Sequence, residues 1–294
     1  MALKCGICSS THLEKLFSKD SKDHILYTIY SCKNCKIIQV APLPEQEVLD
    51  QYYSNEYFTK RTDRGYDNYY SDSMRQELFR VWTMNLNDLN IELKQNAKPS
   101  DDSKSILSRS IDIGCAAGYF VDYMKSLHWD SMGIEIAPDP VAFGRDKLGL
   151  NLVQDNFLSW DKNSQNKFQL ITLWASIEHM RDPLSILKKI KTHLTEDGIV
   201  ILSTCRWGFL SKYLKQKWRF LNVPEHLFYF GMDEIIGLMK DLGFEYKSHT
   251  TYGSGFTSKK NASFSFRFTK AFMDWLVKRL DQGDMMAISF KNSK

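Results

Sequence analysis

Ile111-Asp112-Ile113-Gly114-Cys115-Ala116-Ala117-Gly118-Tyr119-Phe120 reads as a strand end, a tight turn and a helix start. The first three residues belong to a strand, and a helix follows from 119 to about 127. Gly114 lets the backbone turn sharply and approach a ligand closely. Gly118 lets the helix begin near the strand. The helix start offers unpaired N–H groups and a positive dipole end. In an open α/β sheet, ligands bind at the carboxyl ends of the strands, where this turn would lie.

Outward from that turn, strands and helices alternate. A second strand is expected over 132–136, a helix over 139–148, a short third strand over 151–153 and a fourth over 168–174. Asp182-Pro183 opens a helix over 184–194, and Gly198 precedes a fifth strand over 199–203. A helix over 232–242 stops at Gly243. A sixth strand lies near 244–248. A Gly/Ser/Lys loop (253–261) leads to an aromatic helix over 264–280 and a last strand near 285–290. This alternation predicts a parallel-type sheet covered on both faces.

The turn discriminates between nucleotide types. A dinucleotide G-x-G-x-x-G pattern beginning at Gly114 would need glycine at 116 and 119, where Ala116 and Tyr119 stand. The pattern D-x-G-x-x-x-G fits Asp112, Gly114 and Gly118. It resembles motif I of class I S-adenosylmethionine-dependent methyltransferases. The resemblance runs over about 106–291. It implies a Rossmann-like α/β fold with a seven-stranded sheet in order 3-2-1-4-5-7-6, last strand antiparallel. It also implies S-adenosyl-L-methionine as cofactor. Asp112 would lie near its methionine end, with Gly114, Cys115, Ala116 and Gly118 in the turn beneath it. Glu135, followed by Ile136, would accept the ribose hydroxyls. Asp155 or Asn156 would meet the adenine amine, with Phe157 on the ring, and Trp174-Ala175 would line the sulfonium. Ile177-Glu178-His179-Met180-Arg181-Asp182-Pro183, Glu225-His226-Leu227-Phe228-Tyr229-Phe230 and the closing Gly283-Asp284-Met285-Met286-Ala287 resemble later segments of the same class.

Cys5, Cys8, Cys32 and Cys35 form two C-x-x-C pairs around an apolar strand, 25–30. That is the spacing of a four-thiolate Zn2+ site of ribbon type, structural because it is full. Proline at 42 and 44 closes a module over 1–44. A connector over 45–104 follows, with Tyr66, Tyr69, Tyr70, a helix over about 72–93 and a polar linker at 96–105. The methyltransferase-like part is 105–294. This arrangement resembles bacterial sugar and natural-product methyltransferases.

Methyl transfer to a hydroxyl or carbon acid needs a base, and histidine titrates near neutrality. His179, just past the fourth strand, and His226, beside Glu225, are the candidates. In relatives of the ubiquinone pathway an E-x-x-E-H segment holds a divalent ion. Here Ala175 replaces the first acid, and one acid with one histidine predicts no catalytic metal. Tyr66, Tyr69 and Tyr70 of the connector either close over the cofactor or acceptor or pack the joint between the cysteine module and the domain. Phe264, Phe266, Phe268, Phe272 and Trp275 read as core or a lid rather than a membrane anchor. Lys212, Lys215, Lys217 and Arg219 read as a solvated face or a phosphate contact.

Composition bounds the partners. Net charge is +4, with 43% hydrophobic and 25% charged residues, an ordinary globular balance. The expected acceptor is a small molecule: a nucleotide sugar, a glycan or a natural-product intermediate. A zinc ribbon gripping RNA, and a non-catalytic interaction protein, are the alternatives. The mild charge argues against nucleic acid. No run is long enough for a membrane span and the start shows no signal peptide, so a cytoplasmic location is expected. Oligomeric state is open.

Overall fold

The computed structural model describes residues 3–52, 55–60, 68–93, 108–162, 165–256 and 263–293. Tyr66, the linker at 96–105 and part of the loop at 253–261 lie outside them. In chain order the elements are β1 (Leu13–Asp20), β2 (Leu26–Cys32), β3 (Ile38–Val40), α1 (Gln46–Tyr52), α2 (Asn55–Thr59), α3 (Asp72–Asp88), β4 (Arg109–Ile113), α4 (Tyr119–Ser126), β5 (Asp130–Glu135), α5 (Pro138–Leu148), β6 (Leu152–Gln154), β7 (Phe168–Trp174), α6 (Pro183–His193), β8 (Leu194–Cys205), α7 (Phe209–Leu214), β9 (Phe228–Tyr229), α8 (Met232–Asp241), β10 (Phe244–Tyr252), α9 (Phe264–Arg279) and β11 (Met285–Asn292).

The large sheet runs β6-β5-β4-β7-β8-β11-β10. Only β11 opposes its neighbours, pairing antiparallel with β8 and with β10. Counted within the α/β part, this is the expected 3-2-1-4-5-7-6 order. Period-two alternation decides its two faces. Ile111, Ile113, Ile171, Leu173, Val200, Leu202, Ile288 and Phe290 share one core cluster with Ile186 and Ile190 of α6 and Ile235 and Met239 of α8. Leu170, Ile201 and Ala287 join the other, with Trp82 and Leu86 of α3 and Phe120 and Met124 of α4. Helix ends follow local chemistry: Asp182 caps α6 through Ser185 N at 3.0 Å, and Ser263 caps α9 through Phe266 N at 3.2 Å. Among the described residues no helix is long and apolar enough to cross a membrane.

The cysteine segment completes its sheet with a strand from outside residues 1–44. Its sheet has the order β1-β2-β3-β9, and β9 comes from far along the chain, beyond β8. Val40 N donates to Leu227 O at 2.9 Å, and Ile38 and Gln39 face Tyr229 and Phe228. Cys5, Ile7, Cys32 and Ile37 belong to the same core cluster as the large sheet. Their apolar burial is therefore shared with the domain.

Core, one of the two readings of the α9 aromatics, is overturned here. Phe264, Phe268, Phe272 and Trp275 are exposed and Phe266 is half-buried, while Val277 is the buried residue of that helix.

Candidate active site

A cavity of about 510 Å³ opens at the carboxyl ends of β4, β5, β7 and β8, within the usual range for small-molecule sites. Gly114 and Cys115 donate to Ile134 O at 2.8 and 3.2 Å, so the turn after β4 is tied to β5. Gly114 has φ +73°, and a Cβ there would meet Ser176 Cβ at 2.6 Å. Only glycine leaves this cradle open. Gly118, φ +76°, does not line the cavity. A Cβ there would strike Leu152 at 2.7 Å, so its part is to let α4 approach β6. Ala116 is left-handed too, at φ +47°.

Two carboxyls organise the cavity. Asp112 is buried and accepts a hydrogen bond from Thr172 Oγ1 at 2.7 Å. Burial pushes its pKa up to about 8, against the pull of that hydroxyl, with the Glu135 charge adding to the rise. Glu135 ends β5 half-buried. It accepts from Ala116 N at 3.0 Å, Ile136 N at 2.8 Å and Ala137 N at 3.0 Å. Burial raises its pKa while these three donors hold it down. It thereby fixes the turn after β4 and faces the cavity at once.

Asp155, Asn156 and Phe157 line the adjoining wall with Ile136. Asp155 Oδ1 accepts from Asn156 N at 2.7 Å, and Asn156 Oδ1 from Leu158 N at 2.9 Å. Trp174 ends β7 among Phe120 and Trp82. The connector contributes Leu49, Tyr57, Phe58 and Tyr69 to the lining. Tyr69 stacks on Tyr119 at 5.5 Å, and Tyr70 meets Phe143 at 4.6 Å. Tyr69 therefore lines the cavity, and both rings pack on α4 and α5 of the domain.

At the cavity's other end, the fold brings two distant segments together. His179 stands in a 3-10 turn, Ile177–His179, after β7. Its Nδ1 lies 2.9 Å from Glu225 O. A carbonyl only accepts, so Nδ1 carries the proton and Nε2 is the basic nitrogen. His226 Nδ1 lies 3.6 Å from Cys205 Sγ. The acid beside the histidines is Glu178, which lines the cavity. Glu225 is buried but does not line it. Of these two neighbours in sequence, His226 lines the cavity and Glu225 does not, because successive side chains of a non-helical segment diverge. Glu178, His179 and His226 offer ligand atoms within 4.8 Å of one another. The count of one acid and one histidine, on which the no-metal expectation rested, omits His226.

The four cysteines also converge. Cys5 and Cys35 sulfurs lie 3.5 Å apart, as do those of Cys8 and Cys32, and all four fall within 4.8 Å. Thiolates on one tetrahedral ion with bonds of about 2.3 Å sit roughly 3.8 Å apart, so the donor set fits zinc.

Of the basic cluster near Trp207 and Trp218, Lys212, Lys215 and Lys217 are exposed. Trp218 is buried and donates to Asp284 Oδ1 at 2.9 Å.

Comparison with known proteins agrees with this architecture. Among curated relatives, the chain is similar to a ubiquinone biosynthesis O-methyltransferase of Haemophilus ducreyi, 28% identical over 103 residues, covering 32% of this chain and 44% of that one. A protein of the same name from Actinobacillus pleuropneumoniae is 27% identical over 128 residues, covering 40% and 53%. The chain thus spans about half the length of the curated relatives it matches. Among solved structures, a SAM-dependent methyltransferase from Archaeoglobus fulgidus superposes with TM-score 0.54 at 14% identity, over 81% of this chain and 100% of that one. The [4+2]-cyclase SpnF superposes with TM-score 0.56 at 15% identity, over 85% and 97%. At such identities the likeness shows the fold alone. A family model described as "Methyltransferase domain" matches residues 71–249, more than half of the sequence, and the chain belongs to that family.

Proposed function

We propose that this chain moves the methyl group of S-adenosylmethionine to a small-molecule acceptor. The observation that carries the reading is the placement of Glu135. One carboxylate both clamps the glycine turn after β4 and faces a cavity that also holds Asp112 and Asp155–Phe157. In this reading Glu135 takes the ribose hydroxyls, and Asp155 or Asn156 takes the adenine amine between Ile136 and Phe157. The buried Asp112 faces the cationic end. Gly114, Cys115 and Ala116 pass beneath the cofactor, with Trp174 near the sulfur.

S-adenosylmethionine supplies an already activated methyl group, so the protein's work is positioning and deprotonation. His179 Nε2 accepts the acceptor's proton while Glu225 O holds the other side of its ring. Glu178 and His226 stand beside it, and the Glu178 carboxylate lies within reach of the positive charge that results. Glu225 acts through its backbone, as a positioning residue.

The acceptor class is a hydroxylated small molecule: a phenol, a nucleotide sugar, a glycan or a natural-product intermediate. The matched relatives' names, which specify O-methyl transfer, support the hydroxyl. Zinc on Cys5, Cys8, Cys32 and Cys35 is structural in this reading. The proposed division is a zinc module at 1–44, a connector at 45–104 and the transferase domain at 105–294. The deciding experiment is transfer of labelled methyl to a panel of such acceptors, alongside calorimetry with the cofactor. Glu135→Ala should abolish transfer and weaken cofactor binding by about 10²- to 10³-fold, the scale of two charge-assisted hydrogen bonds. Full affinity in that variant would remove the ribose assignment and the reading with it.

A further inference from the structure

Helix α9 carries large apolar side chains on its solvent side. Phe264, Phe268, Phe272 and Trp275 recur at i, i+4, i+8 and i+11, which places them on one stripe. They are 84%, 68%, 50% and 59% exposed. The opposite side, with Lys270, Met273, Asp274 and Val277, faces the protein. Asp274 is the helix's single acid and is turned inward. Its Oδ1 accepts from Ser254 N at 3.1 Å, and it pairs with Lys270. The exposed stripe therefore carries no carboxylate of its own. It is edged by Arg267, Lys278 and Arg279, all exposed, of which Lys278 also reaches Asp88 of α3.

A second element of the same kind stands close by. In α7, Phe209 and Tyr213 are 65% and 76% exposed and stack with centroids 6.3 Å apart. Lys212, Lys215 and Lys217, all exposed, lie in and just after the same helix. Arg206, three residues before α7, donates from its side chain to Asp281 O, just past the end of α9. Its backbone N donates to Asp284 O at 2.8 Å. The approach to one aromatic–basic helix and the end of the other are thus fastened where β8 ends and β11 begins.

From these two elements we propose that α9, with α7 beside it, docks the protein on an anionic lipid bilayer. The aromatic stripe enters the boundary between headgroups and acyl chains, and the arginines and lysines lie at the phosphates. A helix of 16 residues spans only about 24 Å, and this one lies in the plane of the membrane. Its pattern, with Phe and Trp on one face and Lys and Arg at the edges, is that of an interfacial helix. Charge decides against a second copy of the chain as the occupant. An antiparallel two-fold contact would bring Arg267 of one copy towards Lys278 and Arg279 of the other with no acid on either stripe, whereas an anionic surface neutralises them.

The test is flotation of the intact chain with vesicles of phosphatidylcholine alone and vesicles containing about one-third phosphatidylglycerol. Partition onto the anionic vesicles is expected, falling tenfold or more as salt rises from about 0.05 to about 0.3 M. A Phe268→Ser, Trp275→Ser double variant should lose roughly a hundredfold in partition. Both side chains are exposed, so its circular dichroism and melting should match the parent. Brominated acyl chains should quench the parent's fluorescence more than that of Trp275→Phe. No partition at low salt, equal partition onto both vesicles, or full partition by the double variant would each overturn the proposal. So would a concentration-dependent dimer abolished by the same double variant in a chain that ignores vesicles. None of these readouts needs methyl transfer, so their failure leaves the catalytic reading standing.

Discussion

His179 meets His226 edge-on, with ring centroids 4.6 Å apart and planes at 89°. The first histidine follows β7 and the second precedes β9, nearly fifty positions later. His179 has its Nδ1 proton held by a carbonyl, that of Glu225, which leaves Nε2 as its basic nitrogen. His179→Ala is therefore expected to lower kcat by about 10²- to 10⁴-fold, the usual worth of a general base. Cofactor affinity, measured by calorimetry, should stay within about threefold. His226→Ala should cost less, since its ring stands beside the base. If His179→Ala keeps parental turnover while His226→Ala is dead, the roles are reversed.

Asp112 makes a prediction about protons. With its pKa raised to about 8, it is mostly protonated near pH 7 in the unliganded protein. A cationic ligand beside it favours the carboxylate. Binding of S-adenosylmethionine at pH 7 should thus expel close to one proton. Calorimetry in phosphate and in Tris should give binding enthalpies that differ by the difference in buffer ionisation heats. Asp112→Asn should bind weakly and show no such difference.

The same carboxyl sets a stability trend. The folded state holds this proton more tightly than the unfolded chain, so the contribution is fully present near pH 4 and fades as pH rises towards 8. Asp112→Asn should therefore melt higher than the parent at pH 8, and by less at pH 5, with ligand absent. A lower melting point at pH 8 would show that the charged form is already well accommodated.

Ala116 and Gly118 occupy the same left-handed region with different margins. Ala116→Gly should stabilise by about 0.5–1 kcal/mol, because glycine accepts φ +47° without a Cβ penalty. Gly118→Ala should destabilise by about 2–4 kcal/mol, since φ +76° and Leu152 at 2.7 Å both oppose a side chain. Urea melts of the two variants should move in opposite directions.

For the thiolate cluster, one zinc per chain is expected by elemental analysis. Cobalt substitution should give the visible bands of a tetrahedral tetrathiolate site. Cys32→Ser should release the metal. Because β3 pairs with β9, it should also disturb the near-ultraviolet signal of the aromatic residues around Phe228 and Tyr229. A metal-free chain with unchanged melting and near-ultraviolet spectrum would remove zinc from the structure.

The parts of this architecture that could be read from sequence are the local ones. The turn from Asp112 to Gly118 announces itself because its backbone needs small residues at fixed offsets. The order of the seven strands then follows from the resemblance it supports. β1 escaped notice because Glu14, Lys15, Ser18, Lys19 and Asp20 give it a polar profile without a buried face. β9 escaped because two residues carry no periodicity, and its partner lies at the other end of the sequence. The exposure of α9 was hidden for a related reason. A helical stripe of aromatics states a period, but not which side the protein occupies. Glu178 was quoted only as part of a motif, since nothing local shows that His226 returns to meet it.

The borrowed strand has a consequence for the order in which this molecule can be assembled. β1, β2 and β3 leave the ribosome roughly 190 residues before β9, a wait of about ten to forty seconds at ordinary elongation rates. Throughout that interval the edge of β3 has no neighbour, and an open edge is a template for any passing strand. Early capture of a metal ion by the four cysteines would hold the nascent hairpin in shape until its last partner is made. Newly synthesised chains in zinc-starved cells should accordingly be lost to aggregation before the catalytic half is complete.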